Sequence, residues 1–139
     1  MSILDAATPF GEEVGKRLAD EHVIWLTTVG ADSTPQPNPV WFHWENDEFL
    51  IFTMPAAKRL RHLAHNPRVA LNFNATESGG EVAVFTGTAR VDEPPTEDEI
   101  AHYARKYTKG FVDIKMTRSE FFETYSVPIR IAPDRLRGF

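Results

Sequence analysis

The sequence Phe49-Leu-Ile-Phe-Thr53 is followed by Met54-Pro55 and then by Ala56-Ala-Lys-Arg-Leu-Arg-His-Leu63. The first segment is apolar and typical of a strand, the Met-Pro pair interrupts it, and the third has the composition of a short helix. A helix that starts just after a strand presents unpaired N–H groups and the positive end of its dipole. The order of the three segments therefore predicts a strand–turn–helix unit that can receive an anion.

The charge around this unit is unevenly distributed. From Phe49 to Thr76 there is no Asp or Glu, but there are four cations, Lys58, Arg59, Arg61 and Arg68, in a chain whose net charge is -5. Lys58 and Arg59 fall in the first turn of the predicted helix, where a cation opposes the dipole at a cost of about 0.3–1 kcal/mol. Two interpretations remain open: a solvated cationic face, or a site where a bound phosphate offsets that cost.

Length and composition exclude several classes of protein. The chain has 139 residues, which predicts one domain over residues 1–139, and it has no Cys, which excludes disulfides, thiolate zinc sites and a Cys nucleophile. No apolar run approaches the roughly 18 residues of a membrane span, and the first residues do not resemble a secretion signal. We therefore expect a cytoplasmic protein. Its acidity argues against a nucleic-acid partner.

Local patterns predict the remaining elements. Thr8-Pro9 predicts the start of a helix that runs to about Asp20, and the capping spacings Thr96–Glu99 and Thr117–Glu120 predict two more helix starts. Strands are predicted at His22–Val29, Gln36–Trp44, Glu48–Thr53, Arg68–Asn74, Val82–Val91, Tyr125–Ile131 and Arg135–Phe139. Strands joined mostly by turns, with short helices inserted, predict an α+β, mainly β fold: a closed or partly closed barrel.

Two prolines interrupt the predicted strand Gln36–Trp44. Proline has no N–H, so Pro37 and Pro39 cannot both pair inside a central ladder, and the stretch must be an edge strand or a bulge. The prolines either protect an edge or leave backbone groups free for a ligand ring. Trp41 and Phe42 point to opposite faces, so at most one of them lines the same ligand.

No acid–base or nucleophile constellation is present. The sequence lacks GxSxG, HExxH, Walker and GxGxxG patterns. His62 and His65 have no neighbouring carboxylate in sequence, so no metal site is expected there. His43 is either an acid near a substrate or a histidine without a catalytic role. This pattern is consistent with chemistry carried by a cofactor.

The sequence resembles the pyridoxamine-5′-phosphate-oxidase-like split-barrel superfamily at five segments: Pro37–Phe42, Phe52-Thr53, Ala57-Lys58, Leu63 and Asn66–Leu71. Within it, the chain is similar to the actinobacterial branch that uses the deazaflavin coenzyme F420 in place of FMN. The ending Val127–Phe139 is similar to the terminal strands of that branch. The order and spacing of these segments carry the resemblance.

The resemblance implies an FMN-binding type of split barrel with short flanking helices, and a homodimer with cofactor sites at the subunit interface. The implied cofactor is coenzyme F420, with FMN as the alternative. The ring-lining strand corresponds to Asn38, Pro39, Val40 and Trp41. The phosphate-contacting segment corresponds to Thr53, Ala57, Lys58 and Arg59, and Arg61 is a candidate contact for the oligoglutamyl tail of F420.

The implied function is transfer of a hydride from reduced F420 to an unsaturated small molecule, such as an enone, a quinone or a tetrapyrrole. Three alternatives remain open. The protein is an FMN-binding oxidase or reductase of the same fold, a non-enzymatic F420 carrier, or a structural or sensor barrel without a cofactor. No catalytic side chain, resident metal, nucleic acid or membrane partner is predicted.

Overall fold

The computed structural model describes residues 2–139, and within them five helices and seven strands are formed. In chain order they are α1 (Pro9–Asp20), β1 (Ile24–Val29), β2 (Pro35–Val40), β3 (His43–Glu45), β4 (Glu48–Thr53), α2 (Lys58–His65), β5 (Arg68–Asn72), β6 (Ala83–Val91), α3 (Glu97–Lys106), α4 (Thr108–Asp113), α5 (Arg118–Thr124) and β7 (Val127–Gly138). The strands form one antiparallel sheet, in the order β2-β1-β5-β6-β7-β4-β3, that curls into a half-barrel. The predicted mainly β split barrel is confirmed. None of the helices in this part of the chain is long and apolar enough to cross a bilayer.

Strand β4 is buried on both faces. Phe49 and Ile51 belong to the main apolar core, which also takes in residues of the other long strands. Leu50 and Phe52 belong to a second apolar cluster with residues of α3, α4 and α5. A strand covered on both faces has no solvated side, and this explains why its sequence is continuously apolar instead of alternating.

The prediction of one strand over Gln36–Trp44 is wrong. Strand β2 ends at Val40 and β3 begins at His43, and the two strands lie at opposite edges of the sheet. The chain can leave the ladder at Trp41-Phe42 because Lys106, the last residue of α3, and Tyr107, which follows it, bind the backbone of Phe42. The Phe42 N–H donates to the Tyr107 hydroxyl at 2.8 Å, and Lys106 Nζ donates to the Phe42 carbonyl at 2.9 Å.

The prediction of two separate C-terminal strands is also wrong, because β7 runs without a break from Val127 to Gly138. Its Pro133 pairs with Gly87 of β6, where the register shifts between Thr86 and Gly87. A Cβ at Gly87 would lie 2.9 Å from the Ala132 carbonyl oxygen and 3.0 Å from the Pro133 Cα. The glycine therefore makes room for the proline, and the pair fits inside a continuous ladder.

Local signals correctly place the helix starts. Thr8 caps α1, and complete capping boxes open α3 at Thr96 and α5 at Thr117. Asn46 and Asp47 adopt φ angles of 55° and 59°, as the two-residue hairpin between β3 and β4 requires. Helix α4 was not predicted.

A buried ion pair fastens α3 to the sheet. The two terminal guanidinium nitrogens of Arg130 on β7, Nη1 and Nη2, each donate to the Glu99 carboxylate at 2.8 Å. Arg130 is 6% exposed and Glu99 is 8% exposed. Arg130 also donates to the Pro94 carbonyl at 3.1 Å, just before the helix. The hydrogen bonds from Arg130, with a further one from the Thr96 backbone N–H, lower the pKa of Glu99 to about 2. The pair is bidentate and shielded from water, so its loss leaves a buried charge unpaired.

We expect Glu99→Gln to lower the free energy of unfolding by about 3 kcal/mol at pH 7, as measured by urea denaturation. Glu97→Gln on the exposed first turn of the same helix is the matched control and should change it by about 0.5 kcal/mol or less. The pKa of Glu99 lies below its ordinary 4.5 in the folded state, so its stabilisation is complete above pH 4.5 and is lost as the pH falls towards 2. The Glu99→Gln variant should not lose this part of its stability between pH 4.5 and 2. Equal acid sensitivity of Glu99→Gln and the wild type would contradict a stabilising Glu99–Arg130 ion pair.

Candidate functional site

A cavity of about 350 Å³ lies where β2 ends and where the segment that contains α3, α4 and α5 packs against the sheet. This volume falls within the range of about 300–1,000 Å³ that small-molecule sites occupy. Its lining is mostly apolar and aromatic: Val23, Pro39, Val40, Trp41, Phe52, Arg59, Tyr103, Ile114, Phe121 and Tyr125. The cavity therefore has the size and the walls to hold a planar organic ring.

A column of stacked aromatic rings forms one side of the cavity. Trp41 stacks on Tyr107 with ring centroids 4.4 Å apart and planes 5° from parallel. Its other partner is Phe121, at 5.4 Å and 18°, and Phe121 in turn stacks on Tyr125 at 4.7 Å. Phe42 lies in the main core and is fully buried. The prediction that Trp41 and Phe42 serve different faces is confirmed.

Arg59 is the one charged residue that lines the cavity within residues 2–139. It lies in the first turn of α2 and is half-buried. Burial lowers the pKa of Arg59, and no acidic group opposes that shift. A partly desolvated guanidinium without a carboxylate partner is electrostatically incomplete, so an anionic ligand would stabilise it.

The start of α2 also leaves backbone donors without a side-chain acceptor. Its N-cap residue is Ala57, which makes no capping hydrogen bond, and the first turn contains no acid. The helix is held in place by buried Leu63 and by a 2.8 Å hydrogen bond between His62 Nδ1 and Thr28 Oγ1 on β1. The strand–turn–helix unit is therefore formed as predicted, and it presents N–H groups beside Arg59.

The proline-bearing strand β2 is an edge strand, as expected. Pro35, Pro37 and Pro39 lie in the same phase, opposite alternate residues of β1. Because proline has no N–H, the donors from β2 to β1 must be the residues between them, such as Gln36 and Asn38. The outer edge of β2 therefore presents the carbonyl oxygens of the prolines and no proline N–H. A ligand that binds this edge must donate hydrogen bonds to those oxygens.

The structure brings four of the nine predicted site residues to the cavity. Pro39, Val40, Trp41 and Arg59 line it. The other five lie outside the lining: Asn38, Lys58 and Arg61 are exposed, Ala57 is half-buried at the N-cap of α2, and Thr53 is buried at the end of β4. Sequence reasoning missed the walls from α3–α5. The capping pattern predicted where α3 starts, but not that this helix packs against Phe52 of β4.

Tyr103 adds a polar atom to this apolar wall. Its side chain is fully buried, and its hydroxyl has no hydrogen-bond partner among the described residues. Burial raises the pKa of Tyr103 well above its ordinary value, so the hydroxyl remains a donor at neutral pH. The unpaired cation in an otherwise apolar and aromatic lining fits a ligand that carries both a planar ring and an anionic group.

A family model described as pyridoxamine 5′-phosphate oxidase matches residues 10–130. The chain belongs to the pyridoxamine 5′-phosphate oxidase family. The pyridoxine/pyridoxamine 5′-phosphate oxidase of Cupriavidus pinatubonensis (strain JMP 134 / LMG 1197) is 30% identical over 98 residues, which cover 70% of this chain and 45% of that protein. The chain thus spans less than half the length of this family relative.

Solved structures share the fold at low sequence identity. HutZ, the heme storage protein of Vibrio cholerae, superimposes with a TM-score of 0.70 and 16% identity over 94% of this chain and 95% of its own. An F420 reductase superimposes with a TM-score of 0.66 and 20% identity over 88% and 94%. These similarities show that proteins named for different ligands share this half-barrel fold.

We expect Gly110→Ala to disturb the aromatic column, because a Cβ there would lie 2.9 Å from Trp41 Cη2. Trp41 is held between two rings, so we expect the free energy of unfolding to fall by about 1–3 kcal/mol and the near-UV circular dichroism to change. Gly15→Ala in α1, with its nearest contact at 3.7 Å, is the matched control and should stabilise by about 0.5–1 kcal/mol. An unchanged near-UV spectrum in Gly110→Ala would contradict the tight packing of Trp41.

Proposed function

We propose that this protein binds reduced coenzyme F420 and uses it to reduce an unsaturated small molecule of the enone, quinone or tetrapyrrole class. The observation that carries the proposal is Arg59, a half-buried cation without an acidic partner in the lining of an aromatic cavity. The shared fold with an F420 reductase supports it at the level of architecture. The family assignment supports a role in redox chemistry.

The anionic part of the cofactor would bind at the start of α2. Arg59 provides a bidentate donor from the cavity side, and Lys58 provides a charge from the exposed side of the same turn. The backbone donors that follow Ala57 complete the phosphate contacts, and the Thr53 hydroxyl lies at the preceding strand end. Arg61 is exposed on α2, where it suits a flexible anionic tail in solvent.

The ring would lie against Trp41, beside Pro39 and Val40, with Asn38 at the exposed rim. When bound, the reduced deazaflavin supplies a hydride, and the chain supplies binding, orientation and the exclusion of water. The aromatic walls exclude water from the ring face. Tyr103 contributes its ring to these walls, and its fully buried hydroxyl would reach a ligand carbonyl only after the side chain moved.

Two other functions use the same cavity. FMN also has a planar ring and a phosphate, and the name of the family favours an oxidase or reductase that binds it. A carrier of F420 would need the anion site and the ring wall but no room for a substrate. Turnover and cofactor preference separate these functions from the proposed one.

We expect the purified protein to be colourless and to quench the fluorescence of added F420 with a dissociation constant of about 1 µM, or about 8 kcal/mol. FMN titrated side by side should bind at least tenfold more weakly. Reduced F420 should then be oxidised in the presence of some member of a panel of enones, quinones and tetrapyrroles. A yellow protein with bound flavin would replace F420 by FMN, and tight F420 binding without turnover would favour a carrier.

Arg59→Ala should weaken F420 binding tenfold or more, because it removes the charge inside the cavity, and Arg59→Lys should weaken it less. The double variant Lys58→Ala with Arg59→Ala should bind more weakly still. Lys16→Ala, an exposed cation on α1, removes the same charge away from the cavity and should leave the affinity unchanged. Wild-type affinity in Arg59→Ala would remove the phosphate assignment.

We also propose a homodimer in which a second copy completes the cofactor site. Residues 35–39 of β2 are exposed beside the cavity, so one chain leaves the ring site open on that side. Light scattering after gel filtration should give twice the 15.7 kDa chain mass at micromolar concentration. A single-chain mass at a protein concentration where F420 still binds with a dissociation constant of about 1 µM would rule out a shared site.

A further inference from the structure

A cluster of two histidines and one carboxylate lies outside the cavity described above. His43 Nε2 lies 3.0 Å from Glu45 Oε1, and His102 Nδ1 lies 2.7 Å from the same oxygen. The potential ligand atoms of the three residues all lie within 4.8 Å of one another. Two imidazole nitrogens thus lie at hydrogen-bond distance from one carboxylate oxygen.

The elements that carry these residues hold them in place. His43 and Glu45 are two residues apart on β3, so their side chains share one face of the strand. His102 lies on α3, three residues after Glu99, whose bond to Arg130 fastens that helix to β7. The cluster therefore joins two anchored elements and is not a chance meeting of mobile surface side chains.

The spacing and the chemistry match a transition-metal site. Zinc binds imidazole nitrogen and carboxylate oxygen at about 2.0–2.2 Å, which places tetrahedral ligands about 3.3 Å apart. The observed 2.7 and 3.0 Å separations would open by about 0.6 and 0.3 Å to admit an ion, and the two histidine nitrogens lie within 4.8 Å of each other. Metal bonds would then replace the two hydrogen bonds to Glu45.

The surroundings leave a coordination position accessible. His43 and His102 line a groove of about 430 Å³ between α1, β3 and α3. The side chain of His43 is 14% exposed and that of His102 is 42% exposed, so an ion can reach both from solvent. Three protein ligands with a position open to a groove are the arrangement of a zinc site that also binds water or substrate.

We propose that His43, Glu45 and His102 form a binding site for a divalent transition-metal ion, best matched by zinc. The site is separate from the ring cavity, with which it shares no lining residue. It does not depend on the proposed F420 chemistry.

Titration of the tag-free, metal-stripped protein with zinc by isothermal calorimetry tests the proposal. One ion should bind per chain with a dissociation constant of about 1 µM or lower. Cobalt substituted at the site should give the visible absorption of a four-coordinate ion. His102→Ala and Glu45→Gln should each weaken zinc binding tenfold or more.

His65→Ala is the matched control, because His65 is an exposed histidine at the end of α2 outside the cluster. It should bind zinc as the wild type does. Glu45→Gln keeps the side-chain shape, and circular dichroism of each variant checks that it is folded. Absence of saturable zinc binding, or wild-type affinity in both folded cluster variants, would overturn the proposal and leave the cluster as a hydrogen-bonded link between β3 and α3.

Discussion

The Tyr107 hydroxyl holds the backbone of Phe42 where the chain passes from one edge of the sheet to the other. Phe42 is fully buried, so its N–H and carbonyl would lose water and gain nothing without a partner. Tyr107 accepts the N–H and itself donates to the His22 carbonyl at 2.7 Å, while Lys106 donates to the Phe42 carbonyl. Because these side chains satisfy the backbone of Phe42, the chain can leave β2 at Val40, and Trp41 lies in the wall of the cavity.

The helical segment α3–α5 therefore has two roles at once. It covers the outer face of β4 with an apolar cluster, and the same aromatic side chains form the wall of the cavity. The ion pair between Glu99 and Arg130 fastens this segment to β7, where a bidentate geometry compensates for the desolvation of both charges. Stability and ligand binding thus share elements, so a substitution in the column around Trp41 is expected to affect both.

The stretch from Phe49 to Thr76, which contains cations and no acid, places one of those cations, Arg59, in the cavity. Several surface cations lie in ion pairs with carboxylates, such as Arg68 with Asp134 and Arg90 with Glu48. Arg59 differs, because it faces an apolar cavity and burial lowers its pKa without an opposing acid. The strand–turn–helix unit formed by β4 and α2 thus exists. The hydrogen bond between His62 and Thr28 anchors α2 on β1, and Arg59 of this helix lines the cavity.

Local chemistry predicted the strands, the capped helices, the edge position of the prolines and the strand–turn–helix unit, because each depends on neighbours within a few residues. The same patterns predicted a barrel, and its split-barrel type and the full set of candidate cofactor contacts followed from a resemblance in the order of these motifs. The break at Trp41-Phe42, the continuous β7 and the walls from α3–α5 were settled only by contacts between residues far apart in sequence, 65 positions for Phe42 and Tyr107. The cluster of His43, Glu45 and His102 was invisible for the same reason: two ligands come from a strand and one from a helix 57 positions later, and only packing brings them together.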